Sequence, residues 1–150
     1  MRFRLTDDEA WELIAGSHTG IFTSLRRDGR PIALPVWFVA HGRSVYIRTP
    51  AATKQTTRVR HDSRAHFLVE HGTDWGELVS VSFSARAGVL DPDPSLDKTL
   101  EQLLADKYAA HRPPEERLPA AVRERYAETE LIRLTPDGPL RSWNNAALLG

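Results

Sequence analysis

The longest regular pattern in the chain runs from Leu78 to Leu90, where Val79, Val81, Phe83, Ala85, Ala87 and Val89 alternate with Ser80, Ser82, Ser84, Arg86 and Gly88. A period of two sends successive side chains to opposite faces, so the stretch predicts a long strand with one apolar and one polar side. Shorter β-type runs precede it. Gly20 to Leu25 and Ile32 to Val39 flank the turn signal Arg27-Asp28-Gly29-Arg30 and predict a hairpin. His41-Gly42-Arg43 then turns the chain into Ser44 to Thr49, and the three strands are expected to follow one another as an antiparallel meander. Further strands are predicted at Ala65 to Glu70, at Leu131 to Leu134 and, in the tail, across Leu140 to Asn145.

Helical periodicity is confined to a few places. Thr6-Asp7-Asp8-Glu9 has the form of a capping box opening a helix through Trp11, Leu13 and Ile14. After the Asp91-Pro92-Asp93-Pro94 break, Ser95 is expected to cap a helix whose Leu96, Leu100, Leu103, Leu104, Lys107 and Tyr108 form one face covering the sheet. Glu115 to Ala127 predicts one more helix. Ala51 to His61 has helix formers but a single large aliphatic residue, Val59, which predicts a short and exposed helix. The expected architecture is mainly β with flanking helices, in one domain of ordinary size for 150 residues.

Composition narrows the chemistry. The chain has no cysteine, which removes disulfides, thiolate metal ligands and a cysteine nucleophile, and which fits a reducing compartment. No apolar run approaches the roughly 20 residues of a membrane span, and the polar start of the chain does not resemble a signal-peptide core, so a cytoplasmic location without membrane attachment is expected. Net charge is zero, but the charges are segregated: Arg26 to Arg64 holds nine basic residues against two acids. A neutral protein with a local basic stretch suits a small anionic ligand better than nucleic acid, and no nucleic-acid partner is expected.

The strongest constellation lies where the third strand runs into the short basic helix. A phosphate there would meet the hydroxyls of Thr49 and Thr53, the free amides of the first helical turn, and the cations of Lys54 and Arg58, which share a helix face four residues apart. The plainer alternative is a solvated basic face with ordinary threonine caps. Trp37, Trp75 and Trp143 are candidates to border a planar ligand, against the alternative of packing in a core or interface. No metal site is expected, because His61, His66 and His71 are five apart and strand geometry sends the last two to opposite faces. No Gly-x-Ser-x-Gly elbow supports a hydrolase, and no Gly-x-Gly-x-x-Gly follows a strand.

Several phrases, in order, resemble the split β-barrel flavoproteins of the pyridoxamine 5'-phosphate oxidase-like superfamily, including its branch that uses deazaflavin F420. They are Gly20-Ile21-Phe22-Thr23-Ser24 with Asp28-Gly29-Arg30-Pro31, Pro35-Val36-Trp37-Phe38, Val45-Tyr46-Ile47-Arg48-Thr49 with Lys54 and Arg58 to Ala65, and Arg141-Ser142-Trp143-Asn144-Asn145. The resemblance implies a six- to seven-stranded antiparallel split β-barrel and a homodimer with FMN or F420 at the subunit interface. It implies that Thr49, Lys54, Arg58 and Arg60 grip the phosphate, that backbone near Pro35, Val36 and Trp37 meets the ring, and that Trp75 or Trp143 enters from the partner. It further implies an oxidoreductase passing a hydride to a small organic substrate, the alternative being a non-enzymatic binder of flavin or haem. Ile32 to Ala40 has no cation and the chain stops soon after Trp143, so pyridoxamine phosphate is not the expected substrate.

Overall fold

The structure is a computed structural model describing residues 2–150. Its sheet is built from β1 (Gly20–Leu25), β2 (Pro31–Val36), β3 (Val39–His41), β4 (Ser44–Pro50), β5 (Arg64–His71), β6 (Val79–Val89), β7 (Thr129–Pro136) and β8 (Arg141–Asn144). Seven strands run in the order β2-β1-β5-β6-β7-β4-β3, all antiparallel, and β8 pairs with the first half of β6. The sheet curls into a half-barrel flanked by four helices, α1 (Asp7–Gly16), α2 (Lys54–His61), α3 (Pro94–Tyr108) and α4 (Ala120–Arg125). The mainly β architecture with flanking helices expected from the pattern, and the split barrel that the resemblance implies, are therefore present.

The meander is corrected. β2 pairs with β1 at one end of the strand order, while β3 pairs with β4 at the other. The single run expected over Ile32 to Val39 breaks at Trp37-Phe38, and this crossing carries the chain from one end of the order to the other. Residues from 31 to 40 are apolar throughout, so no polar residue marks the break. Outside a strand ladder, the backbone of the buried Phe38 needs other partners. Tyr108 Oη accepts from Phe38 N at 2.8 Å and donates to His18 O at 2.7 Å, while Lys107 Nζ donates to Phe38 O at 2.9 Å. The end of α3 thus satisfies the crossing.

The core follows the strand alternation. Val81, Phe83, Ala85 and Ala87 of β6 pack inside with Phe22, Phe67, Val45, Ile47, Ile132 and Leu134. Tyr46, Val39 and Leu131 point to the other side, where Leu100, Leu104 and Tyr108 of α3 cover them. The N-cap of α3 is Asp93, not Ser95, because Pro94 occupies the first helical turn and the Asp93 carboxylate accepts from Leu96 N. The helix expected over Glu115 to Ala127 is also corrected: a 3-10 turn at Glu115–Arg117 is separated from α4 by extended Leu118. Leu118 precedes Pro119, and the proline ring pushes the preceding residue out of the helical region. The capping box at Thr6 and Glu9 forms as expected. Gly20 sits so close to Phe67 that a Cβ would meet its ring at 2.2 Å.

Candidate functional site

Two cavities flank the junction between β4 and α2. The larger is a groove of ≈ 910 Å³. One wall is Leu34, Pro35, Val36 and Trp37, its floor is Ile47, Arg48, Thr49 and Pro50 of β4, and its far wall is Arg112, Leu118, Val122, Arg123 and Tyr126 of the connector that carries α4. The smaller cavity, ≈ 590 Å³, is lined by Arg26 and Arg27 after β1, Ile32 of β2, and Ala52, Lys54, Thr57 and Arg58. The two are neighbours along both chain segments, since Thr49, Pro50 and Gln55 line one while Ala52 and Lys54 line the other.

The junction is shaped by Ala52, which takes a left-handed φ of 56°. Its amide donates to Glu130 Oε1 at 3.0 Å, and Ala51 N donates to Glu128 O at 2.9 Å. Arg60 pairs with the other oxygen of Glu130. The Ala52 amide and then Arg60 hold the Glu130 carboxyl below its ordinary range. Arg60 therefore braces the junction from β7 and lines neither cavity. Thr53 caps α2, its hydroxyl accepting from Thr56 N at 3.3 Å. Buried Thr56 and Val59 then seat the helix on the barrel.

The residues expected to grip a phosphate are thus distributed. Thr49 lies in the groove with Pro35, Val36 and Trp37, Lys54 and Arg58 lie in the basic cavity, and Thr53 holds the helix start between them. Arg58 Nε donates to Ser24 Oγ at 3.0 Å, which fixes the guanidinium against β1. Burial and then the charge of Arg26 lower its pKa, and an anion beside it would favour the charged form and offset both effects. Among the described residues no acidic side chain lines the basic cavity. Arg26 and Arg27, whose charge was evident in the sequence but whose position was not, complete a group of four cations.

Trp37 stacks on Tyr108 with ring centroids 4.3 Å apart and planes 2° apart, and its edge meets His18. That stacking fixes the aromatic wall of the groove. Trp75 and Trp143 lie elsewhere: Trp143 Nε1 donates to Asn145 Oδ1, Asn145 Nδ2 donates to Trp75 O at 2.8 Å, and Phe3 meets Trp143 edge-on. They are 61% and 48% exposed respectively, and neither lines either of these two cavities. Among the described residues no three His, Asp or Glu side chains cluster as metal ligands, and no helix is long and apolar enough to cross a membrane.

A family model for pyridoxamine 5'-phosphate oxidase matches residues 6–138. No curated protein matches the chain in sequence. Among solved structures, a conserved hypothetical protein from Mycobacterium tuberculosis is similar at a TM-score of 0.80 and 21% identity, over 97% of this chain and 89% of that one. A FAD-binding protein from Mesorhizobium loti is similar at 0.69 and 16%, over 93% and 94%. A haem storage protein from Vibrio cholerae is similar at 0.70 and 14%, over 97% and 99%. At these identities the structural likeness shows the fold alone.

Proposed function

The chain belongs to the pyridoxamine 5'-phosphate oxidase-like family of split barrels, and on that premise we propose that it is an oxidoreductase using FMN or F420 to move a hydride to or from a small organic substrate. The observation that carries the reading is the pairing of a groove that has an apolar, aromatic wall with a four-cation cavity across one short junction. An isoalloxazine or deazaflavin ring is planar and largely apolar, and it is tied to a phosphate. The ring suits the groove beside Pro35, Val36, Trp37 and Thr49, and the phosphate suits Lys54, Arg58 and the cations Arg26 and Arg27. Among the similar folds, the FAD-binding protein gives the flavin class its support.

When bound, the flavin or deazaflavin supplies the redox chemistry. The chain's part is to bind, orient and exclude water. Lys54 and Arg58 would neutralise the phosphate, and Trp37, backed by buried Tyr108, would hold one side of the ring. We further propose that two chains associate along the apolar strand β2 and that Trp75 or Trp143 of one protomer approaches the site of the other. FMN and F420 both meet these requirements. Titration of the apoprotein with each, repeated with Lys54→Ala and Arg58→Ala, is expected to show affinity falling roughly 10- to 100-fold, the loss expected for a charge-assisted hydrogen bond. Unchanged affinity in both variants would sink the phosphate grip.

A second reading, a non-enzymatic haem binder, rests on His18 and His111, whose rings lie 4.6 Å apart beside the Trp37–Tyr108 stack. The visible spectrum of the purified protein separates the two readings, through flavin bands or a Soret band.

A further inference from the structure

The groove carries a second set of cations, separate from those of the basic cavity. Arg48, Arg112 and Arg123 line it, and among the described residues no carboxylate does. Nor does any of the three form an ion pair among the described residues. Arg48 is tied to the sheet, its Nη1 donating to Thr129 Oγ1 at 2.9 Å. Arg112 and Arg123 instead stand on the connector that carries α4.

Three guanidiniums with no ion-pair partner among the described residues, lining a pocket whose other side chains are uncharged, amount to a charge without a partner. Arg112 and Arg123 are exposed and Arg48 is half-buried, but all three line one concave space with Val36, Leu104 and Leu118, where planar, bidentate recognition of an anion is favoured. The groove is also roomy. At ≈ 910 Å³ it lies near the top of the range of roughly 300–1,000 Å³ for small-molecule pockets, so a flavin ring leaves space for a second small molecule.

We propose that the groove takes an apolar carboxylic acid as the substrate-class ligand, its hydrocarbon or aromatic body against the ring and Val36, and its carboxylate on Arg112 and Arg123. The assignment rests on reading the groove as the flavin-ring site. It gives the connector a role: α4 buries no side chain, so the far wall is held by little besides half-buried Leu118 and Val122, and an acid bridging Arg112 and Arg123 would tie it down.

The test uses calorimetric titration of the full chain, with and without FMN, against naphthalene-2-carboxylate, its neutral isostere 2-naphthamide, and phenyl phosphate. The carboxylate is expected to bind roughly tenfold or more tighter than the amide, and Arg112→Gln/Arg123→Gln to remove that preference, with circular dichroism verifying the fold of the variant. Hydrogen exchange across 112–126 is expected to slow on adding the carboxylate. Equal binding of acid and amide, or a preference that survives the double substitution, overturns the proposal. Tighter binding of phenyl phosphate overturns the carboxylate class, and displacement of FMN by the acid overturns joint occupancy. The double variant is also titrated with FMN, and an equal loss there reassigns the arginines to the flavin. If FMN fails to bind while the acid preference and its loss are observed, the flavin reading alone has failed.

Discussion

Ala52 is held by its surroundings in a conformation its own side chain disfavours, and Lys107 lies in surroundings that disfavour its charge. A non-glycine residue at φ 56° costs on the order of 1–2 kcal/mol, and Ala52 is kept there by the hydrogen bonds that fold the junction onto β7. Ala52→Gly is therefore expected to stabilise the chain by about 1 kcal/mol, net of the extra entropy glycine brings to the unfolded state, read as a higher denaturant midpoint at unchanged slope. Lys107 lies 3.7 Å from the Phe38 ring centroid with its ammonium on Phe38 O, contacts that favour its charged form. Desolvation outweighs them and lowers its pKa to about 8. Because the native state releases this proton at lower pH than the unfolded chain, stability should rise as pH climbs from about 8 toward the ordinary lysine range. Denaturation at pH 7.5, 9 and 10 is the check, and Lys107→Met should flatten that rise.

At the scale of elements, the contact between α3 and the Trp37-Phe38 crossing organises the site. Tyr108→Phe keeps the ring that stacks on Trp37 but removes the hydroxyl, leaving Phe38 N and His18 O without their partner. A buried unsatisfied donor costs about 1–3 kcal/mol, and the expected result is destabilisation of that size together with weaker FMN binding, since the groove wall is no longer pinned. A loss of stability with full FMN affinity would mean that the crossing does not orient the wall.

The same comparison shows which elements were legible in the sequence. β6 was readable because one side faces the core and the other is partly solvated, and α3 because Leu100, Leu104 and Tyr108 recur every four residues. The break between β2 and β3 was not, since both flanks are apolar for different reasons: Leu34 for an open wall, Phe38 for the core. The basic segment was visible as a run of charges. Its division between two cavities, the brace from Glu130, and the approach of Arg26, Arg27, Arg112 and Arg123 depend on strand pairing and helix packing over long sequence distances, which local periodicity does not encode.

For the whole molecule, the strand order leaves β2 exposed at one end. From Pro31 to Val36 it has no polar side chain, and Leu34 is 37% exposed. An apolar end strand of this kind invites association. Pro31 and Pro35 lack the amide hydrogens that a continuous strand-to-strand extension would use, so the proposed contact is through side-chain faces rather than by lengthening the sheet. A stable interface of this type needs about 800 Å² per partner, more than one six-residue strand supplies, and the exposed Trp37, Trp75 and Trp143 are among the further apolar side chains available. Light scattering is expected to give twice the protomer mass of 16.9 kDa. Leu34→Glu places a charge on that strand and should shift the mass toward the monomer. A wild-type monomer that binds FMN with full sensitivity to Lys54→Ala would show the opposite: a groove and basic cavity complete within one chain, with β2 serving the ligand alone.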